Sequence, residues 1–166
     1  MDRTKRLRRV GLLCCHFVRN YAYYKAGWND KVSKSEDQFW VSLNGNFLDI
    51  CVLEWCKLFG DHKDDQHWKQ VMKPHKEFKE RMFSSLNINQ TELDRINGSF
   101  RSYRDKFVAH LDSEEVANIP KVSEGLPLVY FYYEEIKSIC ESTSDWPDSL
   151  EDFYKEHYEI GLAKYG

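Results

Sequence analysis

The 166-residue chain is poor in residues that break helices, with eight glycines and four prolines, about 7% of positions where about 12% is usual. So few breakers argue against a turn-rich β-sandwich and favour long helices. No apolar run approaches the roughly 18 residues needed to cross a membrane. A basic start leading into apolar residues has the outline of a signal peptide, but Val10–Val18 is interrupted by His16 and followed at once by Arg19 and Asn20. It lacks an adequate apolar region and a small-residue cleavage site, so a cytoplasmic protein with no membrane association is expected.

The five cysteines (Cys14, Cys15, Cys51, Cys56 and Cys140) are odd in number and match no disulfide framework or zinc spacing. Reduced, partly buried thiols are the expectation. Cys56, His62 and His67 form a loose trio without a Cys-x-x-Cys knuckle, so no metal is expected. There is no glycine-rich phosphate loop, no serine nucleophile elbow and no helix with two histidines four apart, and no cofactor is expected either.

Positive charge is also scarce: the net charge is −3, which argues against binding duplex nucleic acid over the whole surface. One local basic patch stands out, Arg3, Lys5, Arg6, Arg8 and Arg9. It reads either as a grip on an RNA backbone or as a solvated first helical turn.

The chain does hold enough apolar residues for a core, 42%, alongside 31% charged residues. At about 150 residues per domain, that describes one soluble globular domain spanning 1–166. Apolar residues at Leu7, Val10, Leu13, Cys14, Phe17, Tyr21 and Tyr24 predict a first helix over about 3–26. Ser33 with Glu36 makes a capping box for a second, which carries Phe39, Leu43, Phe47, Ile50, Cys51 and Leu58 and stops at Gly60. After a charged loop, 61–66, one or two turns are expected at 67–72 and a short helix at about 75–86. Asn89 with Glu92, or Thr91 with Asp94, caps a further helix through Leu93, Ile96, Phe100, Tyr103, Phe107 and Leu111. A long loop at 112–125, a helix at about 126–142 and a last helix from the Pro147, Asp148 and Glu151 region to about 164 complete an all-α antiparallel bundle of about five main helices.

The stretch richest in chemistry is Arg101-Ser102-Tyr103-Arg104-Asp105-Lys106-Phe107-Val108-Ala109-His110. A guanidinium can clamp a phosphate and stabilise charge developing on it, and an imidazole can move a proton near neutral pH. Cleaving RNA without a metal needs those two groups: a ribose 2′-hydroxyl loses a proton, attacks the adjacent phosphorus, and the leaving 5′-oxygen gains one. On an ideal helix, six steps of about 100° leave Arg104 and His110 about 120° apart. Either the helix distorts near Ala109, or Arg104 reaches around, or a second copy of the chain completes the site across a two-fold axis; the last is favoured. The same residues also fit a plainer reading, with His110 a hydrogen-bonded core histidine and Arg104, Asp105 and Lys106 a solvated helix surface.

Arg104-Asp105-Lys106-Phe107-Val108-Ala109-His110 resembles the signature of the HEPN superfamily: an Arg, a polar residue and, a few positions on, a His, late in a helix of an all-α bundle. The surrounding run 103–112, with Cys56–Gly60, Asp61 and His67-Trp68-Lys69 upstream, looks like the AbiU-type branch associated with phage abortive infection. The resemblance implies a homodimeric, metal-independent endoribonuclease acting on RNA as a toxin or antiviral effector. Arg104 would hold the scissile phosphate, His110 would transfer protons or contact the phosphate, and Asp105 would orient the pair, with Arg101 and Lys106 as RNA-backbone contacts. An antitoxin or another defence protein would be a partner. Some members carry a modifiable Tyr two residues after the His, where this chain has Asp112. Others of the superfamily are inactive modules that bind proteins or nucleotides, the alternative reading here.

The aromatic block Tyr130-Phe131-Tyr132-Tyr133 could stack bases, but at helical spacing most of it should be core. His67 and Trp68 read as a packed corner of the bundle.

Overall fold

A computed structural model describes residues 2–28, 36–108 and 118–166. Every regular element among them is helical: α1 (Arg3–Gly27), α2 (Gln38–Trp55), α3 (Trp68–Val71), α4 (His75–Leu86), α5 (Gln90–Tyr103), α6 (Val122–Ile139) and α7 (Leu150–Tyr165). Two π turns extend helices, Cys56–Gly60 after α2 and Arg104–Val108 after α5. The all-α bundle expected from the periodicity is what forms.

The long helices alternate in direction. Phe17 meets Trp55 and Tyr23 meets Phe47, so α1 and α2 are antiparallel. Tyr103 on α5 donates to Asp49 on α2, while Trp55 donates to Asn97, which makes that pair antiparallel as well. Tyr21 packs on Tyr154 and Tyr23 on His157, so α7 returns parallel to α1. An odd number of alternating helices requires this when first and last become neighbours. Gly161 permits their close approach, because a Cβ there would lie 2.7 Å from that of Ala26.

Several boundaries differ from the sequence reading for identifiable reasons. The cap of α2 is Asp37, whose carboxylate accepts from the Phe39 amide at 2.9 Å; the expected Ser33 cap lies outside the described residues. Asn89 caps α5 through the Glu92 amide, as one of the two expected boxes required. The α-winding of α5 ends at Tyr103, where the second π turn begins, and the continuation expected to Leu111 falls partly outside the described residues. α6 starts at Val122 instead of about 126 and ends at Ile139 instead of about 142. Pro127 is the sixth residue of this helix and gives up the backbone hydrogen bond to the Ser123 carbonyl. The last helix begins later than Asp148: Ser149 is its cap, accepting from the Glu151 and Asp152 amides. Pro147 instead offers its carbonyl to the Tyr133 hydroxyl at 2.6 Å.

The core is aromatic at its centre. Trp55 is fully buried and sandwiched between Phe59 and Phe100, with ring centroids 4.5 and 4.6 Å away and nearly parallel planes. Such offset stacks are favourable beyond the area they bury. Gly125 brings α6 against the remaining edge: a Cβ there would sit 2.8 Å from the Trp55 ring. Tyr132 and Tyr133 are likewise fully buried, so the aromatic block of α6 builds core instead of a stacking surface.

The corner that carries His67 and Trp68 is packed as expected, both being almost completely buried. The His67 Nδ1 accepts from the Lys69 amide, which leaves Nε2 as the protonated nitrogen, donating to the Phe59 carbonyl at 2.9 Å. The ring is therefore neutral, and burial pushes its pKa down from 6.5 to about 4.

Two predictions come from this packing. Gly125→Ala forces the Trp55 stack to shift and should cost about 1–3 kcal/mol in chemical denaturation, whereas Gly98→Ala, where nothing crowds the added carbon, should be neutral or stabilising. For His67 the folded pKa lies below the unfolded one, so the unfolded chain binds more protons between pH 6.5 and about 4. Stability is then complete above that window and falls as the pH drops through it. At about 1.4 kcal/mol per pH unit over a window of roughly 2.5 units, the loss is about 3 kcal/mol. Urea midpoints measured across the window should decline in the wild type and flatten in His67→Gln; an equal slope in both would refute the assignment.

Candidate functional site

With α2 and α5 locked around Trp55, the first π turn packs on α5 and the second on α2. Winding of the i→i+5 type shifts the helical register and is often found at functional sites. Between Arg104 and Val108 the straight-helix angle used for the sequence argument therefore does not apply, and the distortion begins earlier than Ala109, at Arg104 itself. The second π turn starts there, and the Arg104 side chain extends toward Cys56 and Asp61 at the end of α2.

Arg104 is largely enclosed, with 23% of its side chain exposed. One carboxylate oxygen of Asp105 accepts from its Nε and also from a terminal nitrogen, each at 2.8 Å. The guanidinium also bears electrostatically on the Cys56 thiol and on Asp61. The bond to Asp105 is the main cause of its raised pKa, so it remains a fixed cation. Arg101, one turn back and exposed, lays its aliphatic stem against Gly60, 3.4 Å from where a Cβ would stand. Lys106 is half-buried. The structure thus joins Arg104 to Asp105 and sets Arg101 beside them. His110, with Asp112, lies outside the described residues.

Around this group sit residues that spacing alone did not single out. Asp61 accepts from the Lys63 amide at 3.1 Å; that bond chiefly, and Arg104 further, lower its pKa. It holds its charge beside the guanidinium. Cys56 shows the reverse balance: burial pushes the thiol up to about 11, outweighing Arg104 and Arg101. It is a packing group and not a nucleophile. Nearby, buried Glu54 accepts from Lys57 at 3.3 Å and lies 3.9 Å from His16. Only the clustering of titratable residues on adjacent turns, with no motif, could have indicated it. The ring of Tyr103, whose hydroxyl donates to Asp49 at 3.0 Å, lines an aromatic cavity of about 350 Å³ with Tyr24, Trp28 and Trp40.

Both His67 ring nitrogens are engaged in backbone hydrogen bonds, so His67 has no lone pair to offer the trio with Cys56 and His62. Among the described residues no three His, Cys, Asp or Glu side chains converge on a metal-sized site. Nor is any described helix long and apolar enough to cross a membrane. Compared with family models, with curated proteins and with solved structures, the chain gives no significant match in any of the three.

What the arrangement offers chemically is a preorientated guanidinium. Asp105 engages two of its five N–H donors, and the remainder can meet phosphate oxygens. Alkylation followed by mass spectrometry checks the geometry: at neutral pH Cys140 should label well before Cys56. Labelling of Cys56 at the rate of a free thiol would show that it is not enclosed against Arg104.

Proposed function

We propose that this chain is a metal-independent endoribonuclease that cuts single-stranded RNA in the cytoplasm as a toxin or antiphage effector. The single observation that supports it most is the Arg104–Asp105 pair, held at the start of a π turn with its guanidinium extended toward Cys56 and Asp61. In this reading Arg104 binds the scissile phosphate and stabilises the charge that grows on its non-bridging oxygens as the 2′-oxygen attacks. His110 exchanges protons with the 2′-hydroxyl and the leaving 5′-oxygen. Asp105 is a positioning residue that fixes the guanidinium plane, and Arg101 and Lys106 contact the flanking backbone. Two copies complete the site across a two-fold axis, each supplying its Arg104 and His110. An antitoxin or another protein of the defence system would restrain it.

This reading carries the HEPN resemblance of the motif onto a helix end built to hold an arginine still. The purified chain should cut single-stranded RNA in EDTA and leave cyclic-phosphate ends. Arg104→Ala and His110→Ala should each lower the rate by about 10²–10³-fold with the helical circular dichroism unchanged. Full activity in either variant would refute the assignment. No RNA turnover by the wild type, together with a tight protein or nucleotide complex in pull-down, would establish the inactive binding module instead.

A further inference from the structure

The basic start of α1 does more than solvate a helix end. Arg3 and Arg6 are three residues apart and so share a face of α1. Like charges at that spacing repel, and cations at a helix N-terminus also oppose its dipole. The first turn of α1 holds no acidic residue, and the Asp2 side chain at its N-cap makes no capping hydrogen bond. Arg8, by contrast, is matched by Asp145 at 2.7 Å.

Arg3 and Arg6 line a cleft of about 350 Å³ together with Lys73, from the segment between α3 and α4, and Gln70. Leu7 and Val71 give it an apolar floor, which strengthens the field of the three cations by excluding water. No carboxylate lines this cleft. Asp65, the acid paired with Arg6, stands 3.8 Å away, beyond hydrogen-bonding distance. The Arg6 Nε is buried and meets no acceptor, an arrangement that costs stability unless something else rewards it. An adjoining cleft shares Arg3 and Lys73 but contains Glu77 and the Arg81–Glu135 pair. There two carboxylates stand against three cations, whereas no carboxylate lines the first.

We propose that the cleft between the start of α1 and the α3–α4 segment is a phosphate-binding site, separate from Arg104, with Arg3, Arg6 and Lys73 as its cationic ligands. The ligand chemistry is a phosphate group, carried either by a nucleic-acid backbone or by a free phosphorylated molecule. The assignment stands whether or not the chain cuts RNA.

Isothermal titration at low salt tests it with two probes, inorganic pyrophosphate on the wild type and a short single-stranded RNA on Arg104→Ala, which keeps the RNA intact. The double variant Arg6→Gln/Lys73→Gln should weaken binding of at least one probe by about tenfold or more. Exposed Arg9→Gln, which removes charge from the same helix outside the cleft, should change it little. If RNA is the probe affected, with a shallower salt dependence by about one unit per cation removed, the source is a backbone. If pyrophosphate alone is affected, it is a free phosphate compound. Unchanged binding of both probes by the double variant, or an equal loss in Arg9→Gln, overturns the site. Lys73→Gln alone, at an exposed position outside any helix, repeats the comparison should the double variant fold poorly.

Discussion

The arrangement of this protein depends on the burial of one indole. Trp55 needs flat partners on both faces and an acceptor for its N–H, and it finds them in Phe59, Phe100 and Asn97, the last at 3.0 Å. These come from the first π turn and from α5, while Gly125 of α6 closes the edge. Three separate segments are therefore brought into register around one side chain. Removing the ring would leave a large cavity and an unpaired amide together, two costs that add.

The position of the candidate site follows from that register. Fixing Phe59 and Phe100 against opposite faces of the same ring places the residues immediately after each of them close together. Those residues are Gly60 and Asp61 on one side and Arg101 and Arg104 on the other. The aliphatic stem of Arg101 lies 3.4 Å from where a Cβ at position 60 would stand, an ordinary van der Waals contact. The Arg104 guanidinium then acts on the Cys56 thiol electrostatically and is held by Asp105. Its orientation is a property of the core as much as of its own helix.

Much of this was legible in the sequence, and the remainder was hidden for physical reasons. Periodicity located the long helices because their buried faces repeat every three or four residues, and the Asn89 cap and the 75–86 helix were read correctly. Caps with competing candidates were less secure: Asp37 and Ser149 act where neighbouring residues offered similar signals. The start of α6 falls earlier than the sequence indicates because Gly125, read as the end of the preceding loop, lies inside the helix, packed against Trp55. The π turns could not be read at all, because one residue of altered winding leaves the apolar pattern almost intact. Arg104 and Asp105 were identified from their motif, whereas the nearness of Cys56 and Asp61, more than forty positions earlier, is set by tertiary packing around Trp55.

The charge distribution gives the net value of −3 a different meaning. Among the described residues, acidic side chains are placed against four of the nine arginines within hydrogen-bonding reach: Asp145 on Arg8, Glu135 on Arg81, Glu92 and Glu124 on Arg95, Asp105 on Arg104. At the cleft of Arg3, Arg6 and Lys73 the acid is Asp65, 3.8 Å from Arg6. The segment from Asp61 to Lys73 runs from one cationic place, at Arg104, to the other, at the cleft. Its course is fixed at His67, which is tied to both Phe59 and Lys69, and at Gln66, whose carbonyl accepts from Tyr132.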